Sequence, residues 1–330
     1  MANKNKSPRP KRQHFVPRMH LKHFVGVSPK NMIWTYDTVR EAWRNSVVEK
    51  TAMQSNFYSA EDAEGNYNDD LEIALSEIEA AATPAYEELL QGRIPTGDLR
   101  AAFSMFAATL YLRTPAMVNA AARLSAELMQ IKLAHTLQSE TAFESLSRRM
   151  AEGGEGDIGD RQKLLDFVSD PERYSLGISQ KRGLSVLSSA EDLAPLLYYR
   201  SWYIAEAFDG YFITSDHPVF RFVAPEYTSR VYGDGGFKNM KAEISIPLSP
   251  KYMLLMHGQD EKASPIGPHL RLPSHFVTEL NMMRAAAADR YIYSPERNAF
   301  LEGVALKHRD DRAGVTVGYP GRRPVVNIDR

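Results

Sequence analysis

The order of strand-like and helix-like hydrophobic patterns along this chain limits the folds it can adopt more than any other feature. Aromatic and β-branched residues predict two strands, Ile33–Tyr36 and Trp43–Val48, joined by a polar turn. From Asp70 the apolar residues recur at helical spacing, and this pattern continues to about residue 198. Strand character returns over Ser201–His257. Because strands and helices are grouped and do not alternate, the order predicts an α+β fold.

The last part of the chain completes this prediction. A helix begins behind Ser274, with apolar residues on one face, and a short strand follows at Tyr291–Tyr293. We therefore expect small N-terminal strands, a helical middle over about 68–198, antiparallel C-terminal strands and a closing helix, all packed as one unit. The sequence has no internal repeat and no Pro-rich or Ser-rich linker, so it predicts one domain over 13–330, preceded by a disordered basic arm over 1–12.

Composition narrows the chemistry that the chain can perform. The 330 residues include no cysteine, and 40 basic residues nearly balance 41 acidic ones. Without thiols, the sequence excludes disulfides, zinc ribbons, thiolate nucleophiles and iron–sulfur clusters. Histidine, carboxylates, amides and hydroxyls remain to act at any site.

The distribution of charge suggests a partner. Residues 1–24 hold seven basic residues and no acid, whereas acids outnumber bases between Glu49 and Asp98. A basic arm of this kind is typical of nucleic-acid contact. No apolar run approaches the ~18 residues of a membrane span, and no hydrophobic stretch follows the basic start as in a secretory signal. The sequence thus predicts a cytoplasmic protein with no membrane partner, and it leaves the oligomeric state open.

Seven short stretches together resemble a family of uncharacterised bacterial proteins, the domain-of-unknown-function family 4238. They are Gln13–Pro17 with Leu21 and Phe24, Asn56–Ser59, Ser76–Glu79, Leu112–Pro115, Thr214–Val219, Pro247–Pro250 and Leu280–Asn281. They occur in the family's order over roughly residues 13–295. The family usually has an amide where His217 stands, and His20 and His23 also depart from its pattern, so the roles of these three histidines stay open. The resemblance implies no reaction.

The first candidate site lies where the basic arm meets the predicted domain. Gln13 and His14 precede Pro17, and Arg18 follows it. Because histidine titrates near neutral pH, His14 can serve as general acid, general base or metal ligand. The alternative is a histidine that only packs or lies on the surface. We expect Gln13 and Arg18 to contact substrate if the site is functional.

A second group of candidates follows a predicted strand. Ser215 and Asp216 precede His217 and Pro218, an arrangement that indicates a tight turn at the strand end. The Asp216 carboxylate can be held by backbone amides in a turn, or it can bind a metal or orient a histidine. Both interpretations stay open at this point.

Two charged residues border apolar helical stripes. Glu79 lies beside the stripe of its helix, and Arg113 continues the stripe of Phe103, Phe106 and Leu110. The two can form a structural ion pair, or Arg113 can bind a phosphate with its planar guanidinium. Asn281, at the opening of the final helix, can contact substrate or satisfy a buried backbone group.

These residues lead to two hypotheses from different classes. The first is a phosphodiesterase, most specifically a nuclease, in which His14, Asp216 and Glu79 are catalytic. In this hypothesis Gln13, Arg18, Arg113, Ser215 and Asn281 contact substrate. A divalent metal such as Mg²⁺ is compatible with this chemistry, and the sequence leaves the cofactor open. The second hypothesis is a non-catalytic binding or sensing module that uses the same pocket for a phosphate-bearing ligand or partner.

Overall fold

The computed structural model describes residues 12–26, 32–61, 67–170, 172–229, 233–258, 268–307 and 325–329. Helices are concentrated in the middle of the chain and most strands lie before and after them in mainly antiparallel sheets, which confirms the α+β class. The predicted disordered arm falls mostly on residues 1–11, outside the described part of the chain. Its last residue, Arg12, begins the first strand.

The described residues form helices and strands in the following order. The helices are α1 (Arg18–Leu21), α2 (Asp70–Leu90), α3 (Gly97–Leu112), α4 (Pro115–Gln138), α5 (Glu140–Glu152), α6 (Arg161–Val168), α7 (Ala190–Tyr198), α8 (Ser274–Ala287) and α9 (Ala299–Lys307). The strands are β1 (Arg12–His14), β2 (Met32–Asp37), β3 (Ala42–Val47), β4 (Met53–Ser55), β5 (Ala60–Glu61), β6 (Tyr67–Asn68), β7 (Ser175–Ser179), β8 (Ser201–Ala207), β9 (Thr214–Ser215), β10 (Phe220–Phe222), β11 (Glu243–Pro247), β12 (Tyr252–His257), β13 (His269–Leu272), β14 (Tyr291–Ser294) and β15 (Val325–Asp329).

The chain divides into two compact units, and the first comprises residues 1–116 and 187–313. Its larger sheet has the strand order β10-β11-β12-β8-β13, antiparallel except for the parallel pair β8 and β13. Its second sheet has the order β3-β2-β14-β9 and is antiparallel. Helix α8 contributes Val277 to the apolar core beside the larger sheet and Ala285 to the core beside the second sheet. The helix therefore joins both cores of this unit.

Helix α2 shows how the sequence determines one element of the first unit. Leu75, Ala82, Tyr86 and Leu89 are buried and share one face of the helix. The helix ends at Leu90, and Gly92 follows with a φ of 76°, a conformation that glycine adopts without steric cost. The buried face packs against α3, and α3 also packs against α7.

The second unit comprises residues 117–186 and 314–330. It contains α4 from Met117 onward, α5, α6 and the parallel pair β7–β15. Its core joins Ala122 and Ala126 of α4 to Ile178 of β7, with Val326 and Ile328 packed against them. The sequence analysis did not find this strand pair. The prediction of a single domain over 13–330 stays a prediction.

One segment differs from the predicted antiparallel C-terminal strands. Of Tyr211–Thr214, only Thr214 lies in a strand, β9, which belongs to the second sheet and not to the larger one. The reason is Asn281, whose side chain accepts a hydrogen bond from the Ile213 amide and donates one to the Tyr211 carbonyl. Asn281 lies in the middle of α8, not at its opening as the sequence suggested. Among the described helices, none is long and apolar enough to cross a membrane.

Candidate functional site

The N-terminal strand β1 is bound to the segment that precedes α2 through one buried glutamine. β1 pairs antiparallel with β4, which places His14 opposite Met53. The Gln13 side chain is fully buried, donates to the Ser59 hydroxyl at 2.7 Å and accepts from the Tyr58 amide at 2.6 Å. Since both ends of its amide are used within the protein, Gln13 positions this segment.

Arg113 connects β1 to the helices. Its Nη1 donates to Glu79 Oε1 at 2.6 Å, its Nη2 to the His14 carbonyl at 2.7 Å, and its Nε to the Tyr58 hydroxyl at 3.1 Å. The side chain is almost completely buried. Burial lowers the pKa of Arg113, but Tyr58 and Glu79 outweigh it and raise the pKa above its usual range. All three nitrogens of the guanidinium are therefore committed, and Arg113 forms the structural ion pair with Glu79.

His14 keeps one ring nitrogen unused. The side chain is half-buried, and its Nε2 is covered but has no hydrogen-bond partner within the described structure. Burial lowers the pKa of His14, and the charges of Arg18 and Arg113 lower it further, whereas the backbone groups of Glu49 and Val48 raise it. These effects favour the neutral ring, and Nε2 is a covered nitrogen that no described group uses.

Glu72 is a member of this site that the sequence analysis missed. Its Oε2 is covered and has no hydrogen-bond partner within the described residues. Burial raises the pKa of Glu72, with further increases from Glu79 and Asp69, against the opposing charges of Arg113 and Arg18. Glu72 precedes Glu79 by seven residues, so both carboxylates lie on one face of α2. That spacing was the available signal.

Exposed cations surround His14 along the first segment of the described chain. Arg12 is at the start of β1, Arg18 begins α1 and Lys22 follows α1, and all three side chains are exposed. His14 and Glu72 both lie in the electrostatic field of Arg18. The site therefore combines two unused proton-transfer groups with a basic edge.

Asp216 lies elsewhere and has other partners. Its carboxylate accepts from three consecutive backbone amides, those of Asp289, Arg290 and Tyr291, at 2.9, 2.6 and 2.8 Å. Burial raises the pKa of Asp216 to about 7, and the Asp289 carboxyl adds to the increase, although the three amides oppose it. In the structure, backbone amides thus hold the Asp216 carboxylate. These amides belong to the end of the α8–β14 connection and the first residue of β14, and not to the turn of Asp216 itself.

The remaining predicted substrate contacts also have partners within the fold. Ser215 is fully buried, and its hydroxyl accepts from the His217 amide at 3.1 Å. Asn281 holds the backbone of Tyr211 and Ile213, as described above. The structure therefore brings together His14, Gln13, Arg113 and Glu79, with Arg18 close to His14, and it places Asp216, Ser215 and Asn281 among different partners.

A buried polar chain connects the N-terminal and strand-end stretches. His20 is fully buried, with Nε2 3.1 Å from Thr214 Oγ1 and Nδ1 2.9 Å from the Tyr86 hydroxyl, which donates to the Leu248 carbonyl. His23 stacks on the Tyr86 ring, with ring centroids 5.2 Å apart. His217 Nδ1 lies 3.3 Å from the Thr114 hydroxyl. The stretches that carry the family resemblance thus contact one another, although His14 and Asp216 do not share partners.

No group of three or more histidine, aspartate or glutamate side chains within the described part of the chain could hold a metal ion. The identity of a cofactor is therefore left open, as in the sequence analysis.

A comparison with known protein families identifies the family to which the chain belongs. The model of the family described as "Protein of unknown function (DUF4238)" matches residues 12–298. The chain belongs to this family, as its short stretches had indicated. No curated protein and no solved structure matches it.

Proposed function

We propose that the chain is a phosphodiesterase that acts on nucleic acid, with His14 and Glu72 as its proton-transfer groups. The observation that carries the proposal is the unused Nε2 of His14. A covered polar atom without a partner costs roughly 1–3 kcal/mol, and a functional role is one reason for a protein to retain such an atom. Here a second unused atom, Glu72 Oε2, lies in the field of the same two arginines, Arg18 and Arg113.

The two groups suit the two proton transfers of hydrolysis. Once the groups that cover Nε2 move aside for the substrate, neutral His14 accepts a proton from the attacking water through Nε2, as the water oxygen bonds to phosphorus. The raised pKa of Glu72 favours its protonated form, so Glu72 donates a proton to the leaving oxygen as the phosphorus–oxygen bond breaks. His14 ends protonated and Glu72 ends deprotonated, so the protein gains no net proton.

The basic edge supplies the contact to the substrate. Arg12, Arg18 and Lys22 are exposed cations on the segment that carries His14. Three exposed cations within eleven residues favour a polyanion over a small phosphate ester, because each neutralised phosphate of a nucleic acid releases counterions. Binding should therefore weaken steeply as salt concentration rises.

Arg113, Glu79 and Gln13 act as positioning residues in this proposal. Arg113 holds the His14 carbonyl, Glu79 holds Arg113, and Gln13 holds Tyr58 and Ser59. Substitution of these residues should reduce activity by moving His14, and it should reduce stability at the same time. The combined loss of activity and stability distinguishes these residues from His14, whose substitution should reduce activity alone.

The test is incubation of the purified chain with single-stranded and double-stranded DNA and RNA, with Mg²⁺, with Mn²⁺ and with a chelator. We expect cleavage by the wild type that falls at least about a hundredfold in His14→Ala and in Glu72→Gln. Two controls match these variants. Glu77→Gln changes an exposed acid on the same helix, and His135→Ala changes an exposed histidine; both should retain activity. Cleavage by His14→Ala at the wild-type rate would refute the role of His14.

A binding module remains the second candidate, and one observation favours it. Asp216, predicted to be catalytic, and Arg113, predicted to contact substrate, have all their side-chain polar atoms committed within the fold. Fluorescence anisotropy with a labelled oligonucleotide distinguishes the candidates. Binding that requires Arg18 and His14, without cleavage of any substrate in the panel, would support the module.

A further inference from the structure

The second unit contains a cavity that is far in sequence from the site described above. It lies between α4 and α5 and has a volume of about 520 Å³. Met129 and Leu133 line it from α4, and Leu146 and Met150 line it from α5. On each helix the two apolar side chains are four residues apart, so they lie on one face, one turn from each other.

The apolar walls of this cavity are incompletely covered. Helix α5 has apolar residues at Phe143, Leu146 and Met150 on one face, yet none of its residues is fully buried. On α4, Met129 is 61% exposed and Leu133 is 40% exposed. Two helices that present facing apolar stripes normally bury them against each other. The open space between these stripes therefore fits an apolar group of a ligand.

The polar residues of the cavity indicate the charge of the ligand. Lys132 lies on one wall and Arg149 on the other, and neither forms an ion pair with a described residue. Arg149 uses its Nε to donate to the Ser145 carbonyl, and its other nitrogens remain available. Glu155 is the acid of the lining. Two cations against one acid leave the cavity with a positive balance that an anionic group can satisfy.

We propose that the cavity between α4 and α5 binds an anionic amphiphile, a single-chain carboxylate whose alkyl chain lies along Met129, Leu133, Leu146 and Met150. Its carboxylate contacts Lys132 and Arg149. The volume falls in the range of about 300–1,000 Å³ that is common for small-molecule sites, and the lining is mainly apolar with a few polar groups, as in such sites. The inference does not depend on the proposed phosphodiesterase activity.

The experiment titrates dodecanoate, below the concentration at which it forms micelles, into the full chain and measures heat by calorimetry and the methionine methyl signals by NMR. We expect saturable binding, with shifts of the Met129 and Met150 methyl signals. Met129→Asp should weaken binding by about tenfold or more, because it places a second anion in the cavity. Leu128→Asp is the matched control: Leu128 is the neighbouring residue on α4, is 51% exposed and does not line the cavity, and its substitution should leave binding unchanged.

A second pair of variants tests the charge. Arg149→Glu should weaken dodecanoate binding by about fivefold or more, whereas Arg148→Glu, next to it on α5, exposed and outside the lining, should have little effect. Dodecyltrimethylammonium has a similar chain and the opposite charge, and it should bind much more weakly than dodecanoate. The proposal would be overturned by equal binding of both probes or by the absence of saturable binding. It would also be overturned if sedimentation showed a dimer that Met129→Asp dissociates, because a second copy of the chain would then occupy the cavity.

Discussion

Arg113 Nη2 donates a 2.7 Å hydrogen bond to the main-chain carbonyl of His14. The contact joins residues 99 positions apart and leaves the imidazole of His14 outside the ion pair that Arg113 forms with Glu79. The strand is thus fixed by its backbone, and its side chain remains available to a ligand. This arrangement separates the residues that hold the site from the residue that would act in it.

Replacing Arg113 should destabilise the first unit strongly. Arg113→Met removes the partner of Glu79 and leaves the His14 carbonyl and the Tyr58 hydroxyl without their donor. Breaking a buried pair from one side costs about 3–5 kcal/mol, and because Glu79 is 25% exposed we expect about 3 kcal/mol. Urea denaturation measures the loss. Arg93→Met, at an exposed arginine, should change stability by less than about 0.5 kcal/mol; equal losses in the two variants would contradict the role of Arg113.

Substitution of two histidines in the first segment should change the stability of the protein by different amounts. His14→Ala removes a ring whose Nε2 has no partner, so stability should change by less than about 1 kcal/mol or increase. His20→Ala removes a fully buried ring, takes the imidazole partner from the Thr214 hydroxyl and leaves the Tyr86 hydroxyl with the Leu248 carbonyl alone, and it should cost about 2 kcal/mol or more. Thermal unfolding of both variants under one condition provides the test. A large loss in His14→Ala would indicate a structural histidine.

Stability should fall as pH decreases from 6.5 to 5. Burial lowers the pKa of His20 to about 3 and that of His217 to about 4. In this window the unfolded chain binds a proton at each of these residues and the folded chain does not. For each histidine, the free energy of unfolding therefore decreases by about 0.7 kcal/mol per pH unit at pH 6.5 and by about 1.3 kcal/mol per pH unit near pH 5. Asp216 acts in the opposite direction, because its pKa is raised to about 7 and the folded chain binds its proton first.

Variants isolate these contributions to the pH dependence. Between pH 5 and 6.5, His20→Gln should reduce the average slope of stability against pH by about 1 kcal/mol per pH unit, and Asp216→Asn should increase it by a similar amount. Urea titrations at four pH values in this window measure the slopes. Identical slopes in the wild type and both variants would show that neither group titrates differently in the folded and unfolded chains.

Two glycines give a matched test of packing. A Cβ on Gly183 would lie 1.9 Å from the Val118 carbonyl oxygen, so Gly183→Ala forces the backbone of the second unit apart and should cost about 2 kcal/mol or more. Gly303 lies in α9 with no atom within 4 Å of the same position, so Gly303→Ala should stabilise by about 0.5–1 kcal/mol. Hydrogen exchange monitored by mass spectrometry assigns each change to its unit. A stabilising Gly183→Ala would contradict the close approach.

Local pattern was sufficient for elements whose residues lie close together in sequence. The period of Leu75, Ala82 and Leu89 predicted α2, and the same reasoning placed Glu79 and Arg113 at the edges of their buried faces. The contact between these two residues was one of two stated alternatives, because both side chains were expected to point inward.

Other features depend on residues that are distant along the chain. For Asp216 the sequence left open a carboxylate held by amides of its own turn and one that binds a metal or orients a histidine, but its three amide partners are 73 to 75 residues away. The pairing of β7 with β15 joins Ser175 to Val325, and no periodicity within either strand specifies its partner. Glu72 was missed for a related reason: its importance arises from an unused oxygen, which only the packed structure reveals.

The contacts of Tyr86 fix the position of a proton in the core. The Tyr86 hydroxyl has one hydrogen, which it donates to the Leu248 carbonyl, so the proton shared with His20 must belong to Nδ1 of the ring. His20 Nε2 is then an acceptor, and the Thr214 hydroxyl donates to it. Donation runs in one direction, from Thr214 through His20 and Tyr86 to Leu248. A single imidazole tautomer therefore connects four distant segments of the chain, and the ¹⁵N shifts of His20 report directly whether all four are in place.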